Sequence, residues 1–203
     1  NFLAAPDDPA DESATEFDLW GGFIAGGNIG EVRPVRDWRD PKLRGVVTED
    51  VTHAWYEGAE KRHPWQGETK EHYTNFQDDG KYTWVKAPRY DDLPTEVGPV
   101  ADVLVGYARG HEATRKWTDE ALGVVQSLAK RKVPVAKLQS TMGRHLTRAI
   151  RTVILADLFT KHWEKLVDNI SRGDLRSHEP PVFPSGAVEG VGFHEAPRGM
   201  LSH

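Results

Sequence analysis

The densest chemistry in the sequence lies in its last fourteen residues, Gly190 to His203. A carboxylate (Glu195), a guanidinium (Arg198) and two imidazoles (His194, His203) are interleaved there with Gly190, Gly192, Pro197 and Gly199. Proline fixes φ directly before Arg198. Gly192 and Gly199 let the backbone turn sharply or a ligand come close. An arginine held in this way is a precise donor, because its planar fork is rigid and always charged. The same residues also fit a surface turn with solvated charges, and the segment by itself leaves both readings open.

Other groupings with chemical potential are weaker. His53, His63 and His72 are too far apart for a helix or tight turn to bring them to one metal, and they match no familiar zinc spacing. They read as loop histidines. Gly26-Gly27-Asn28 lacks the strand–glycine loop–helix context of a phosphate cradle. No Ser/His/Asp order, paired-carboxylate spacing or HExxH helix stands out. The chain has no cysteine, so it contains no disulfide and no Cys-ligated zinc or iron–sulfur site. A net charge of −5 argues against a nucleic-acid partner. No run approaches the roughly 18 apolar residues that cross a bilayer.

The elements that must carry these residues indicate an α+β fold, mainly α. Hydrophobic content is 38% over 203 residues and mean hydropathy is −0.59, on the polar side for a compact domain. That suits a segment covered by other parts of a larger assembly, and seven Trp point to a partner surface. Residues 1–16 read as an irregular acidic loop. Asn1-Phe2-Leu3-Ala4 has neither an initiator Met nor a signal-peptide pattern, so a segment is expected, not a natural start. A β-hairpin is expected over about 18–35, with Gly and Asn supplying positive φ at its turn. Val47, Val51, Ala54 and Trp55 fall at helical spacing and predict a short helix within 46–57. Residues 58–80 read as loop. Residues 81–90 read as an extended segment stopped by Pro88, with Lys86 and Arg89 as edge charges.

Three bundle-type helices are expected over about 98–109, 112–130 and 140–172. Pro99 suits a first helical position and Gly110 a stop. The second helix should bury Trp117, Ala121, Val124, Val125 and Leu128. The third, roughly 30 residues and about 45 Å long, should bury Met142, Leu146, Ile150 and Val153, then Phe159, Trp163, Leu166, Val167 and Ile170. Arg144, Arg148 and Arg151 form a line along it, read as a solvated or salt-bridged stripe, with partner docking as the lesser reading. Residues 174–189 form a loop that leads back to the opening stretch.

Six motifs occur in order at fitting distances: His53-Ala54-Trp55-Tyr56-Glu57, His63-Pro64-Trp65-Gln66-Gly67, Tyr82 to Arg89, Glu96-Val97-Gly98-Pro99, Ser140-Thr141-Met142-Gly143-Arg144, and Gly190 to Leu201. Together with Gly26-Gly27-Asn28 and Glu31 to Val35, they resemble the large subunit of the [NiFe] hydrogenases, which interconvert dihydrogen with protons and electrons. The resemblance runs from about Phe17 to His203. In that family two Cys-x-x-Cys pairs, one near each end of a longer subunit, hold the metals. The resemblance therefore implies a middle-to-late part of one larger domain, with both ligand pairs elsewhere.

What the resemblance implies for this chain is the surroundings of the metal site. Arg198 would reach over a nickel–iron centre carrying CO and CN ligands and hydrogen-bond an iron-bound cyanide. Pro197 and Leu201 would line the apolar pocket around the carbonyl ligand, and Ala196 would allow close approach. Glu49 and Lys86 would hydrogen-bond waters around a magnesium ion, as outer-sphere contacts. Partners would be an iron–sulfur small subunit, the rest of the large subunit, and H2. His194 and Met200 stand where threonine and alanine are more usual. His194 would be a hydrogen-bonded structural histidine, or less readily an aid to proton movement. The alternatives are a metal-free structural relative and an H2-sensing regulatory hydrogenase.

Overall fold

A computed structural model of the chain describes residues 1–5, 19–35, 40, 47–59, 61–63, 66, 69–76, 80–190 and 193–202. Among these residues, three α-helices and three small antiparallel sheets make an α+β architecture. The helices are α1 (Pro99–Arg109), α2 (Glu112–Ala129) and α3 (Thr141–Ser171). Local chemistry sets their ends. Pro99 opens α1 where its missing N–H costs nothing, and Gly110 closes it in the left-handed region at φ 86°. Ser140 caps α3, its hydroxyl accepting the Gly143 N–H at 3.1 Å.

Helix α1 is the central element, buried from Pro99 through Gly106. Helix α2 crosses it where Gly106 meets Thr114: a Cβ on Gly106 would lie 2.9 Å from the Thr114 hydroxyl oxygen. This close approach turns α2 one position away from the expected stripe. Its buried residues are Thr114, Thr118 and Leu122, while Val124 and Leu128 are 58% and 80% exposed. Helix α3 buries only its first half, through Gly143, Thr147, Ile150, Arg151 and Ile154. Phe159, Trp163, Leu166, Val167 and Ile170, expected as core, are exposed. The periodicity is real, but among the described residues that face has no opposing layer. No described helix is long and apolar enough to cross a membrane.

The first sheet has the order β1–β2–β3, from Phe2–Ala4, Gly22–Ile24 and Val32–Pro34. β2 and β3 are the expected hairpin, turning at Gly26 and Gly27 with φ of 56° and 72°. Asn28, at φ −78°, does not share their left-handed conformation. β1 corrects the reading of residues 1–16 as irregular at its start; residues 6–16 lie outside the described residues. Three apolar residues form a strand here because β2 supplies ladder partners and Glu96 a parallel bridge. Period-2 alternation then splits them. Phe2 and Ala4 join the helical core around Leu104 and Ile150, and Leu3 joins a second core with Phe23, Val35, Val47 and Tyr90.

The second sheet has the order β5–β4–β6–β7, from Lys61–Arg62, Val47–Asp50, Ala87–Tyr90 and Leu93–Pro94. β4 replaces the helix expected within 46–57. Val47, Val51, Ala54 and Trp55 are indeed all buried, but β-branched Val47, Thr48, Val51 and Thr52 favour a pleated surface. Asp50 then turns the chain, accepting the Thr52 N–H at 2.9 Å and hydroxyl at 2.6 Å. Burial pushes the Asp50 carboxyl up, but the Thr52 bonds and the Arg89 guanidinium outweigh it and hold it below its ordinary value. Pro88 does not stop the strand; it sits inside β6 opposite Glu49.

The arginine line on α3 is only partly solvated. Arg144 makes a two-pronged pair with Glu96, both bonds 2.6 Å. Glu96 in turn holds β1, donating its N–H to Asn1 O and accepting the Leu3 N–H. We expect Arg144→Met to destabilise the full-length protein by about 1 kcal/mol, the pair being bidentate but partly exposed. Arg148, exposed on the same line, should tolerate the same change within about 0.5 kcal/mol. Denaturant midpoints of the two variants decide it: equal losses would mean that pairing is not the cause.

Candidate functional site

The end of the chain is a hairpin of β8 (Phe193–Ala196) and β9 (Gly199–Ser202), with Ala196 opposite Gly199 and Pro197–Arg198 as the two-residue turn. Alternation gives it two faces. Glu195 is buried and its cross-strand neighbour Met200 packs on the second core. His194 and Leu201, the next pair, point to the exposed side. The His194 side chain makes no hydrogen bond among the described residues and does not line the cleft described below. The alternation of the hairpin turns it outward, and no side-chain bond among the described residues supports the reading of a hydrogen-bonded structural histidine.

Two glycines bring the turn down onto the start of α1. A Cβ on Gly98 would stand 2.5 Å from the Arg198 carbonyl oxygen, and one on Gly199 would stand 2.6 Å from Val97 Cγ2. Gly98 also has φ 98°, a backbone that favours glycine. Backbone thus packs on backbone, and the Arg198 side chain is left at the tip, exposed and without a hydrogen bond among the described residues. Among the described residues none occupies the donors of its guanidinium.

Between this turn and the second sheet lies an open cleft of about 520 Å³. Ala196, Pro197, Arg198 and Leu201 line one side, and Glu49, Lys86 and Val85 the other. Lys86 Nζ pairs with Glu49 Oε2 at 2.9 Å, each side chain about a quarter exposed, and stands 4.9 Å from the Tyr56 ring centroid. The charges expected to be solvated on an edge strand are thus paired, for Arg89 likewise pairs with Asp50 at 2.9 Å, and β6 lies inside its sheet, between β4 and β7. Trp84 and Tyr56 complete the rim. Trp55 anchors Trp84 edge-on at 5.1 Å. Lys81 pins the 51–58 turn by donating to the carbonyls of Val51, Ala54 and Gly58.

All six residues singled out in the sequence therefore meet in one cleft, across more than 140 positions of chain. A more apolar hollow of about 460 Å³ beside Leu122, Val133, Leu138 and Leu146 holds none of them. Two cations and one carboxylate over apolar Pro197, Leu201 and Val85 suit an anionic or strongly polarised group. Sequence reasoning gave no role to Gly98, Tyr56 or Trp84. The signal for Gly98 was a glycine immediately before a helix-opening proline.

The cleft supplies no complete ligand set. Cysteine is absent from the sequence, and no three His, Asp or Glu side chains gather as metal ligands among the described residues. His53 instead bonds the Gly80 carbonyl at 3.0 Å.

Comparison with known proteins gives the family of the chain. The family described as nickel-dependent hydrogenase matches residues 1–203. The chain is 37% identical over 204 residues to the Hydrogenase-2 large chain of Escherichia coli K12, covering all of this chain and 36% of that one. It is 37% identical over 227 residues to the uptake hydrogenase large subunit of Rhizobium leguminosarum bv. viciae, again covering all of this chain and 36% of that one. The Ni-Fe-Se hydrogenase of D. vulgaris Hildenborough superposes with a TM-score of 0.62 at 26% identity, over 99% of this chain and 38% of that one. The chain thus spans little more than a third of the length of these relatives.

Proposed function

The chain belongs to the nickel-dependent hydrogenase family, and on that premise we propose that it forms one wall of the active site in a hydrogenase large subunit, working on the reaction H2 = 2 H+ + 2 e−. The observation that carries this reading is the single cleft in which Ala196, Pro197, Arg198 and Leu201 face Glu49 and Lys86. The segment is part of one larger domain. The rest of the large subunit and an iron–sulfur small subunit are its partners.

The cleft fits a nickel–iron centre as its surroundings, not as its ligands: the thiolates must come from other parts of the subunit, since this chain has no cysteine. When bound, that centre, with CO and CN on its iron, supplies an acceptor for the electron pair of the H–H bond. Arg198 supplies fixed positive charge at the tip of its turn and donates toward a cyanide ligand, stabilising charge that develops there. Its role is electrostatic and positional, because a guanidinium is a planar donor that keeps its charge. Pro197 and Leu201 make the apolar lining that excludes water from the carbonyl side, and Ala196 keeps the wall close. Lys86 and Glu49 hold the opposite rim through their ion pair. Toward a hydrated Mg2+ they serve only through its waters, as Glu49 is one carboxylate already bonded to an ammonium.

A metal-free relative would have no use for an exposed arginine whose donors are unspent beside an apolar lining. Metal analysis of the full-length subunit containing this segment tests the reading. Nickel and iron in comparable amounts, with infrared bands of metal-bound CO and CN, are the expected result. A folded, mature subunit with neither metal would sink it.

A further inference from the structure

Beneath the Pro197–Arg198 turn lies a buried ionic node to which the chemistry above gives no part. Arg151, 6% exposed, projects from α3 two helical turns beyond Arg144. Its guanidinium contacts the carboxylate of Asp102 in the first turn of α1. The same Nη1 donates to the carbonyl of Ala196 at 3.2 Å and stands 3.9 Å from Glu195 Oε1. Glu195, 5% exposed, accepts the Ala5 N–H at 3.1 Å through its other oxygen. Arg151 thus ties α3 to α1 and β8, and Glu195 extends the node to the residue after β1.

The position of this node is informative. Ala196 immediately precedes Pro197 and closes the turn opposite Gly199. Holding its carbonyl fixes the peptide plane from which the turn departs, since proline adds no freedom in φ. A buried guanidinium with two carboxylates is costly to desolvate, and apolar residues of the same size are often no less stable. Its geometry, not its energy, is the property that an apolar replacement lacks.

We propose that Arg151 is a positioning residue: through the Ala196 carbonyl and Glu195 it sets the direction in which Arg198 points, while touching no substrate itself. The proposal rests on the reading that Arg198 faces an iron-bound cyanide.

The test uses the full-length large subunit with its small subunit. It compares Arg151→Met and Arg151→Lys with Arg198→Lys by metal content, cyanide infrared bands and turnover. Lysine keeps the charge of Arg151 but not the rigid planar group that holds Nη1 between Asp102 and the Ala196 carbonyl. The expected result is wild-type nickel and iron, cyanide bands displaced in the same direction as in Arg198→Lys, and a fall in kcat of about 10- to 100-fold. Combined with Arg198→Lys, an Arg151 change should add little, because both act through one group. Metal-loaded Arg151 variants with wild-type cyanide bands, beside displaced bands in Arg198→Lys, overturn the positioning role and leave the site reading intact. Undisplaced bands in Arg198→Lys overturn the site reading, and the proposal with it. Failure of both Arg151 variants to load metal makes Arg151 a folding residue and also overturns the proposal.

Discussion

Arg198→Lys in the full-length enzyme should keep both metals and lose about 10²- to 10³-fold in kcat, the scale of removing one preorganised donor from a developing charge. The fold gives the reason for expecting both halves of that result. The Arg198 side chain is exposed at the tip of its turn and makes no hydrogen bond among the described residues. Replacing it therefore breaks no hydrogen bond among them. The backbone that places it is fixed independently by Pro197 and by the approach of Gly98. What changes is the group presented: a planar fork with donors in set directions becomes a flexible point charge. Because the loss falls on charge that develops during the reaction, kcat should fall more than KM changes. Turnover of the variant in H2 oxidation, with nickel and iron assayed in the same sample, decides it. Near-wild-type turnover would remove Arg198 from the mechanism.

The sequence was most legible where chemistry is local. Pro99 and Gly110 marked helix ends because caps act within a few residues, and both lie where they were expected. It was least legible where a distant segment decides. Phe2–Ala4 is a strand only because Ile24 and Glu96 pair with it. Val47 and Val51 satisfy both helical and extended periodicity, and the ladder to Ala87–Tyr90 chooses between them. The apolar face from Phe159 to Ile170 was read correctly as apolar and wrongly as buried, since burial needs an opposing layer that a single chain's pattern does not reveal. The site divides in the same way. Local rules left Gly190 to His203 open between a turn and a functional segment. The joining of Glu49 and Lys86 to Arg198 came from the order of motifs that resemble a family. Arg151 looked like one charge in a surface line; its burial comes from Asp102 and Glu195, far away in sequence.

Gly98 is the position where such a distant contact should matter most. Gly98→Ala should lower turnover by about 10²-fold, the scale of a displacement of roughly 1 Å in a catalytic group. Two independent constraints converge there. The backbone at φ 98° and ψ −165° lies in a region that is essentially glycine's alone and costs other residues about 1–3 kcal/mol. In addition, the new methyl carbon would stand 2.5 Å from the carbonyl oxygen of Arg198 and 3.1 Å from its carbonyl carbon. These are backbone atoms, which cannot rotate aside as a side chain could. Either Gly98 moves, disturbing the start of α1, or the Arg198 turn is pushed outward. The second is the smaller rearrangement, since α1 is buried through its first two turns and the turn is exposed at its tip. Gly123→Ala supplies the control. It lies inside α2 with no atom near its added Cβ, and it should leave turnover unchanged while gaining about 0.5–1 kcal/mol in stability. If Gly98→Ala turned over like wild type with its metals in place, the backbone contact could not be what aims Arg198. A loss of turnover with the cyanide bands displaced as in Arg198→Lys would locate the effect at that arginine.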